Sequence, residues 1–209
     1  MDSIMPLALD IKDLGKRHGK NWILRGLNFS VTAGSAMALL GANGSGKSSL
    51  LRMLCGLDPQ SEGEVCWQQG QTTVDREALA GAISYCAPDQ SLILDLTVEE
   101  HIAFHFKFRH PLPGTDESQT LSMAILEEKK DIRVRNLSSG MRQRLALSLA
   151  FSTQSLALFL VEPTSHLDAQ GRAWYVDLMS NWTAGRTLVV SSNHNENEFP
   201  KGTERFTLT

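Results

Sequence analysis

Long hydrophobic runs are missing from this sequence. One long uncharged stretch, Leu145 to Val161, is split by Ser152, Thr153, Gln154 and Ser155 into two short apolar pieces. That falls short of the roughly 20 mainly apolar residues a membrane-spanning helix needs, so any membrane role is expected to run through a partner. The N-terminal MDSIMPLALDIKDLGKR has no apolar stretch behind a basic start. No secretory leader is expected, and the protein is expected to stay in the cytoplasm. Cysteine is scarce: Cys55, Cys66 and Cys86 form neither an even set nor a C-x-x-C pair. This argues against a disulfide framework or zinc knuckle and for core thiols in a reducing compartment. Basic charge is not in excess, with Lys+Arg 20 against Asp+Glu 23. Nucleic acid is therefore not expected as a partner. Internal repeats and low-complexity tracts are absent as well.

What is present is the composition of a folded chain. With 209 residues, 42% hydrophobic and 21% charged, one domain over residues 1–209 with an ample core is expected. Leu7 to Ile11 and Ile23 to Val31 alternate as strands do, and Ala36 to Leu40 is a continuous apolar run typical of a buried strand. Leu50, Leu51, Leu54 and Leu57 then recur at helical spacing. Glu64 to Trp67 and Ala82 to Cys86 read as short strands. Thr97 and Glu100 form a capping box that opens a helix through about Arg109, closed by His110 to Gly114. A polar helical segment is expected to about Lys130, then a helix from Ser139 to Ser152, a buried strand Leu156 to Val161, a helix Gly171 to Trp182 and strands at Thr187 to Ser191 and Arg205 to Leu208. Strands alternating with helices predict an α/β fold with a mostly parallel sheet.

Between the apolar strand and the leucine-bearing helix lies Gly41-Ala42-Asn43-Gly44-Ser45-Gly46-Lys47-Ser48, followed by Ser49. It fits the phosphate loop G-x-x-x-x-G-K-[ST], in the strand-loop-helix context that such a loop requires. Glycines let successive backbone N–H groups converge on an anion, and the helix N-terminus adds its dipole. Lys47 would reach the β- and γ-phosphates, and Ser48 would offer a hydroxyl to Mg²⁺. The competing reading is a glycine-rich turn with a surface lysine. His101 and His105 share a helix face as metal ligands would, but Glu100 precedes the pair, so the H-E-x-x-H pattern is absent. The interleaved Phe104, Phe106 and Phe108 read either as core or as a docking face for a membrane partner.

Further along come Leu137-Ser138-Ser139-Gly140-Met141 and then Glu162 at the end of an apolar strand, running into Pro163-Thr164-Ser165-His166-Leu167-Asp168. With this order of motifs, from about Leu7 to His194, the sequence resembles the nucleotide-binding subunits of ABC transporters. The resemblance implies a P-loop NTPase fold with an N-terminal antiparallel β part and a helical subdomain over about residues 97–152. It implies ATP and Mg²⁺ as ligands, hydrolysed when two copies, or one copy and a paralogue, sandwich two nucleotides. Ser138, Ser139 and Gly140 would belong to the signature loop that meets the γ-phosphate held by the opposite subunit. Glu162 would polarise the attacking water, His194 would touch the γ-phosphate, and Asp168 would make a dimer contact. His18 would stack on adenine, with Trp22 as a nearby substitute. A glutamine linking Mg²⁺ to the transport subunit is expected where Pro88 stands, with Gln90 two residues late.

Three departures stand out: Ser139 for a glycine, Met141 for a glutamine, and Val161 where the family has an aspartate before the glutamate. The last predicts a slow ATPase needing high Mg²⁺, or one working beside a better-equipped paralogue. The expected function is the ATPase of a transporter whose permease is a separate chain, peripheral on the cytoplasmic face of the membrane. The alternative is a non-transport ABC protein or a weakly hydrolysing regulatory one. Such proteins usually carry coiled-coil insertions or tandem cassettes, for which 209 residues leave no room. A kinase-like phosphate-loop enzyme would not carry the Leu137 to Arg144 signature.

Overall fold

The computed structural model describes residues 5–88, 92–183, 185–193 and 195–208. In chain order, β1 (Leu7–His18), β2 (Asn21–Val31) and β3 (Ala36–Leu40) precede α1 (Lys47–Leu54), β4 (Glu62–Gln69), β5 (Thr72–Val74), α2 (Arg76–Ala82) and β6 (Ile83–Cys86). There follow α3 (Val98–Phe106), α4 (Glu117–Met123), α5 (Ser139–Ser152), β7 (Ala157–Val161), α6 (Ala169–Trp182), β8 (Thr187–Ser192) and β9 (Glu204–Thr207). One sheet is antiparallel with order β2-β1-β4-β5; the other is parallel with order β6-β7-β8-β3-β9.

Strands β3 and β7 are apolar throughout because both faces are covered, and with β8 their side chains alternate between two cores, whereas the edge strand β9 is largely exposed. Met37, Leu39, Phe159, Val161 and Val189 pack with α1 and the antiparallel sheet. Ala38, Leu40, Leu158, Leu160, Leu188 and Val190 pack instead with α5 and α6. A third cluster joins Val98 and Ile102 of α3 to Ala124, Leu126, Val134, Leu137 and to Leu145 and Leu149 of α5. Helix α5 thus serves two cores, which is why its sequence shows no single apolar stripe.

Several boundaries differ from expectation for local reasons. Strand β1 does not stop at Ile11 but runs to His18, crossing an irregularity where Asp13 takes φ 46°. Gly63 of β4 faces it at φ 75°, and a Cβ there would meet Asp13 O at 2.2 Å, so the bulge depends on that glycine. The capping box opens α3 as expected, but the helix ends at Phe106 and not near Arg109, its last N–H groups turning to Phe104 O and His105 O. Of the polar helical segment only α4 is regular, since Ile125 at φ 55° ends it. Strand β5 and helix α2, both short, carry too little periodicity to be legible.

Candidate active site

The loop between β3 and α1 needs glycine at two positions. Gly41 takes φ 155°, and a Cβ there would meet Ser45 Oγ at 2.6 Å and Leu208 O at 2.8 Å. Gly46 takes φ 93° at the N-cap of α1 and has no side chain to cap it. The open N-terminus therefore keeps its first N–H groups for another acceptor. Ser45 Oγ is buried with no hydrogen-bond partner among the described residues. Lys47, 5% exposed, folds back over the loop, its Nζ donating to Gly41 O (2.7 Å), Ala42 O (3.0 Å) and Asn193 Oδ1 (2.5 Å). Burial holds its pKa below the usual lysine value, while the Glu162 carboxylate opposes that shift.

Glu162 follows β7 directly, at the carboxyl end of a parallel strand where α/β folds gather their reactive groups. Its N–H donates to Ser191 O at 2.8 Å, and its φ of 41° is uncommon for a residue with a side chain. Asn193, just beyond β8, donates from Nδ2 to Glu162 Oε1 at 3.0 Å and to Asn43 Oδ1. Asn43, Lys47, Ser48, Ser49 and Glu162 line one cavity of about 220 Å³, with Ile23 of β2 beside them. A cation here would find the Ser48 hydroxyl and the Glu162 carboxylate. Among the described residues no three His, Cys, Asp or Glu side chains converge. Val161 is 5% exposed and packs in the core, so it offers no oxygen. Two chain donors suit Mg²⁺, which keeps several waters and takes further oxygens from substrate phosphates.

The turn after Glu162 is anchored from three sides. Gln143 Nε2 of α5 donates to Pro163 O at 2.9 Å. Glu198, 3% exposed, accepts from Thr164 N (3.1 Å) and Thr164 Oγ1 (2.5 Å). Asn195 Nδ2 donates to the same Thr164 hydroxyl at 3.0 Å. Thr164, Asn195 and Glu198 border a second cavity of about 300 Å³ shared with Glu162 and Asn193.

Other expected site residues stand apart. Ser138 caps α5, accepting from Met141 N at 3.2 Å, and Ser139 is exposed at that helix start. Gly140 lies where a Cβ would sit 3.1 Å from His166 O. None of the three lines the cavity around Lys47. Asp168 caps α6, accepting from Gly171 N at 2.7 Å. His18 is exposed at the end of β1 opposite Asn21. Trp22 next to it carries Arg25 at 4.6 Å and Arg17 at 6.0 Å from its ring centroid. Gln90 and His194 lie outside the described residues. Asn193, Asn195 and Glu198 are absent from the sequence reading; only the placement of Asn193 just past a buried parallel strand signalled the first.

A groove of about 440 Å³ lies between α3, α5 and the α2–β6 segment. On its rim Phe108 is 73% exposed, its ring 5.1 Å from Phe104. His105 Nε2 donates to Thr153 Oγ1 at 2.8 Å, the hydroxyl itself donating to Leu149 O. Burial first, then Arg109 and His101, lower the His105 pKa to about 4.

The sequence matches the ABC transporter family over residues 24–165. It is 30% identical over 197 residues to Nod factor export ATP-binding protein I of Rhizobium johnstonii, covering 91% of this chain and 63% of that protein. It is 33% identical over 174 residues to human phospholipid-transporting ATPase ABCA3, covering 81% of this chain and 10% of that protein. The chain thus spans less than two thirds of the first relative and a small part of the second. It superposes on a bacterial Atm1-family ABC exporter with ATP bound at TM-score 0.80 and 21% identity, covering 98% of this chain and 37% of that one. It superposes equally on the dimeric ATP-binding cassette MJ0796 bound to ADP and Pi, at TM-score 0.79 and 24% identity, over 96% of this chain and 94% of that one. At these identities the likeness to the solved structures establishes the fold.

Proposed function

Because the chain belongs to the ABC transporter family, we propose that it binds and hydrolyses Mg-ATP to drive a transporter whose membrane-spanning part is a separate chain. The observation that carries this reading is the shared cavity in which Lys47 and Ser48 of the phosphate loop meet the strand-terminal Glu162. The loop N–H groups and Lys47 would bind the β- and γ-phosphates, and Ser48 would hold Mg²⁺, whose charge would neutralise the phosphate oxygens. Glu162 then takes a proton from the water whose oxygen bonds to the γ-phosphorus. The bond from that phosphorus to the bridging oxygen breaks, leaving ADP and phosphate.

In this reading the membrane-spanning part lies outside the described residues, none of whose helices is long and apolar enough to cross a membrane. The groove rimmed by Phe104 and Phe108 supplies an apolar face for it. Placement of Ser138, Ser139 and Gly140 away from the cavity supports their acting on a nucleotide held by a second copy or a paralogue, with Asp168 near that contact. The work is done at the cytoplasmic face of the membrane. Val161 supports slow turnover, since a second carboxylate oxygen beside the cation is missing.

Lys47→Ala is the test. It removes the one ammonium on the phosphates, so binding of a fluorescent ATP analogue is expected to be lost while circular dichroism stays unchanged. Parental affinity in that variant would dismiss the phosphate-loop assignment.

A further inference from the structure

We infer that Asn193 is the positioning residue of this site: its amide holds the Glu162 carboxylate towards the phosphate loop and occupies Lys47 until a phosphate oxygen takes its place. The inference rests on reading the site as an ATPase.

Hydrogen-bond chemistry fixes the amide's orientation. Lys47 is donor only, and ionised Glu162 is acceptor only. The carbonyl oxygen of Asn193 must therefore face Lys47, at 2.5 Å, and its NH₂ must face Glu162, at 3.0 Å. The second N–H of that NH₂ goes to Asn43 Oδ1 of the phosphate loop. One neutral group thus bridges a cation, an anion and the loop that carries the cation. A carboxylate at this position would lack the donor for Glu162, and a hydrocarbon would lack both functions.

The same geometry shows how the bridge opens. An ammonium group has three N–H donors, and all three of Lys47 are engaged, by Gly41 O, Ala42 O and Asn193 Oδ1. The first two acceptors are backbone, fixed by the loop's own fold. Asn193 is an exposed side chain, so it alone can yield its place to an incoming phosphate oxygen. When it yields, its NH₂ remains on Glu162. Lys47 passes to the nucleotide while the carboxylate stays aimed at the space where water must attack. Asn193 therefore opposes nucleotide binding slightly and favours turnover, two effects of opposite sign from one side chain.

That opposition is what the experiment reads. In Asn193→Ala, Lys47 is released in the empty site, and ATP is expected to bind about 3- to 10-fold more tightly, the scale of one charge-assisted hydrogen bond only partly lost. Its kcat is expected to fall about 10- to 100-fold, the scale of a reacting group left slightly out of place. In Asn193→Asp, a carboxylate holds Lys47 harder and repels Glu162. ATP is expected to bind more weakly than to the parent. Thermal melts of both variants check the fold. Affinity that falls in step with kcat in Asn193→Ala, or turnover at the parental rate, overturns the assignment. Should the parent bind ATP without hydrolysing it, the hydrolytic reading above is what fails. The two affinities, measured with a fluorescent ATP analogue, still decide for Asn193: tighter in alanine and weaker in aspartate sustains it, and equal values end it.

Discussion

At residue scale, two neighbours at the end of β7 divide the chemistry and the packing between them. Glu162 turns out of the strand at φ 41° into the cavity, while Val161 points into the core with Phe159 and the leucines of α1. Val161→Asp puts a carboxylate where apolar surface was buried, so the melting temperature is expected to drop, by about 1–3 kcal/mol of stability. The Mg²⁺ concentration for half-maximal hydrolysis is expected to fall about tenfold or more, as such outer contacts to a metal usually contribute. Superimposable Mg²⁺ curves for the two proteins would remove position 161 from the account. The sequence marked Lys47, Ser48 and Glu162 because glycine spacing and strand ends are local signals. It did not mark Asn193, whose meaning comes from three partners, Asn43, Lys47 and Glu162, that only the parallel register of β3, β7 and β8 brings within reach.

At the scale of elements, what was legible followed from burial. β3, β7 and β8 could be read because strands covered on both faces are apolar without alternation, and α3 because its capping box is a side-chain signature within one turn. The irregular passage of β1 at Asp13 and the early end of α3 depend on partners far along the chain, Gly63 in the first case. Helix α3 also carries a titration. His105 stays neutral in the folded protein down to about pH 4, whereas in the unfolded chain it protonates near its ordinary value of about 6.5. Stability from this group is thus complete above about pH 6.5 and declines as the pH falls towards 4, by roughly 1–3 kcal/mol in total. Melting temperatures from pH 7 to 4.5 are expected to fall less steeply for His105→Gln than for the parent. Equal slopes would mean that His105 is protonated alike in both states.

For the whole molecule, the exposed caps of α5 and α6, at Ser138 and Asp168, serve their own helices and, under the proposed function, would also face a second chain. Glu162→Gln keeps the shape of the carboxylate without its basicity, so hydrolysis is expected to fall at least 100-fold. ATP would then persist and hold two chains together, seen as an ATP-dependent shift towards dimer in size-exclusion chromatography. Parental turnover in this variant would exclude Glu162 as the base.

Helix α5 has a mechanical side as well. Its 14 residues rise roughly 21 Å, from Ser138 at one end to the groove at the other, where Leu149, Ala150 and Thr153 form part of the wall. Packed into two clusters along its length, it has little room to bend. A stiff rod clamped along its sides has one compliant response to a push at its far end, which is to tilt or slide as a unit. Load applied in the groove is therefore delivered at Ser138 and, through the Gln143 side chain, to the turn that follows Glu162.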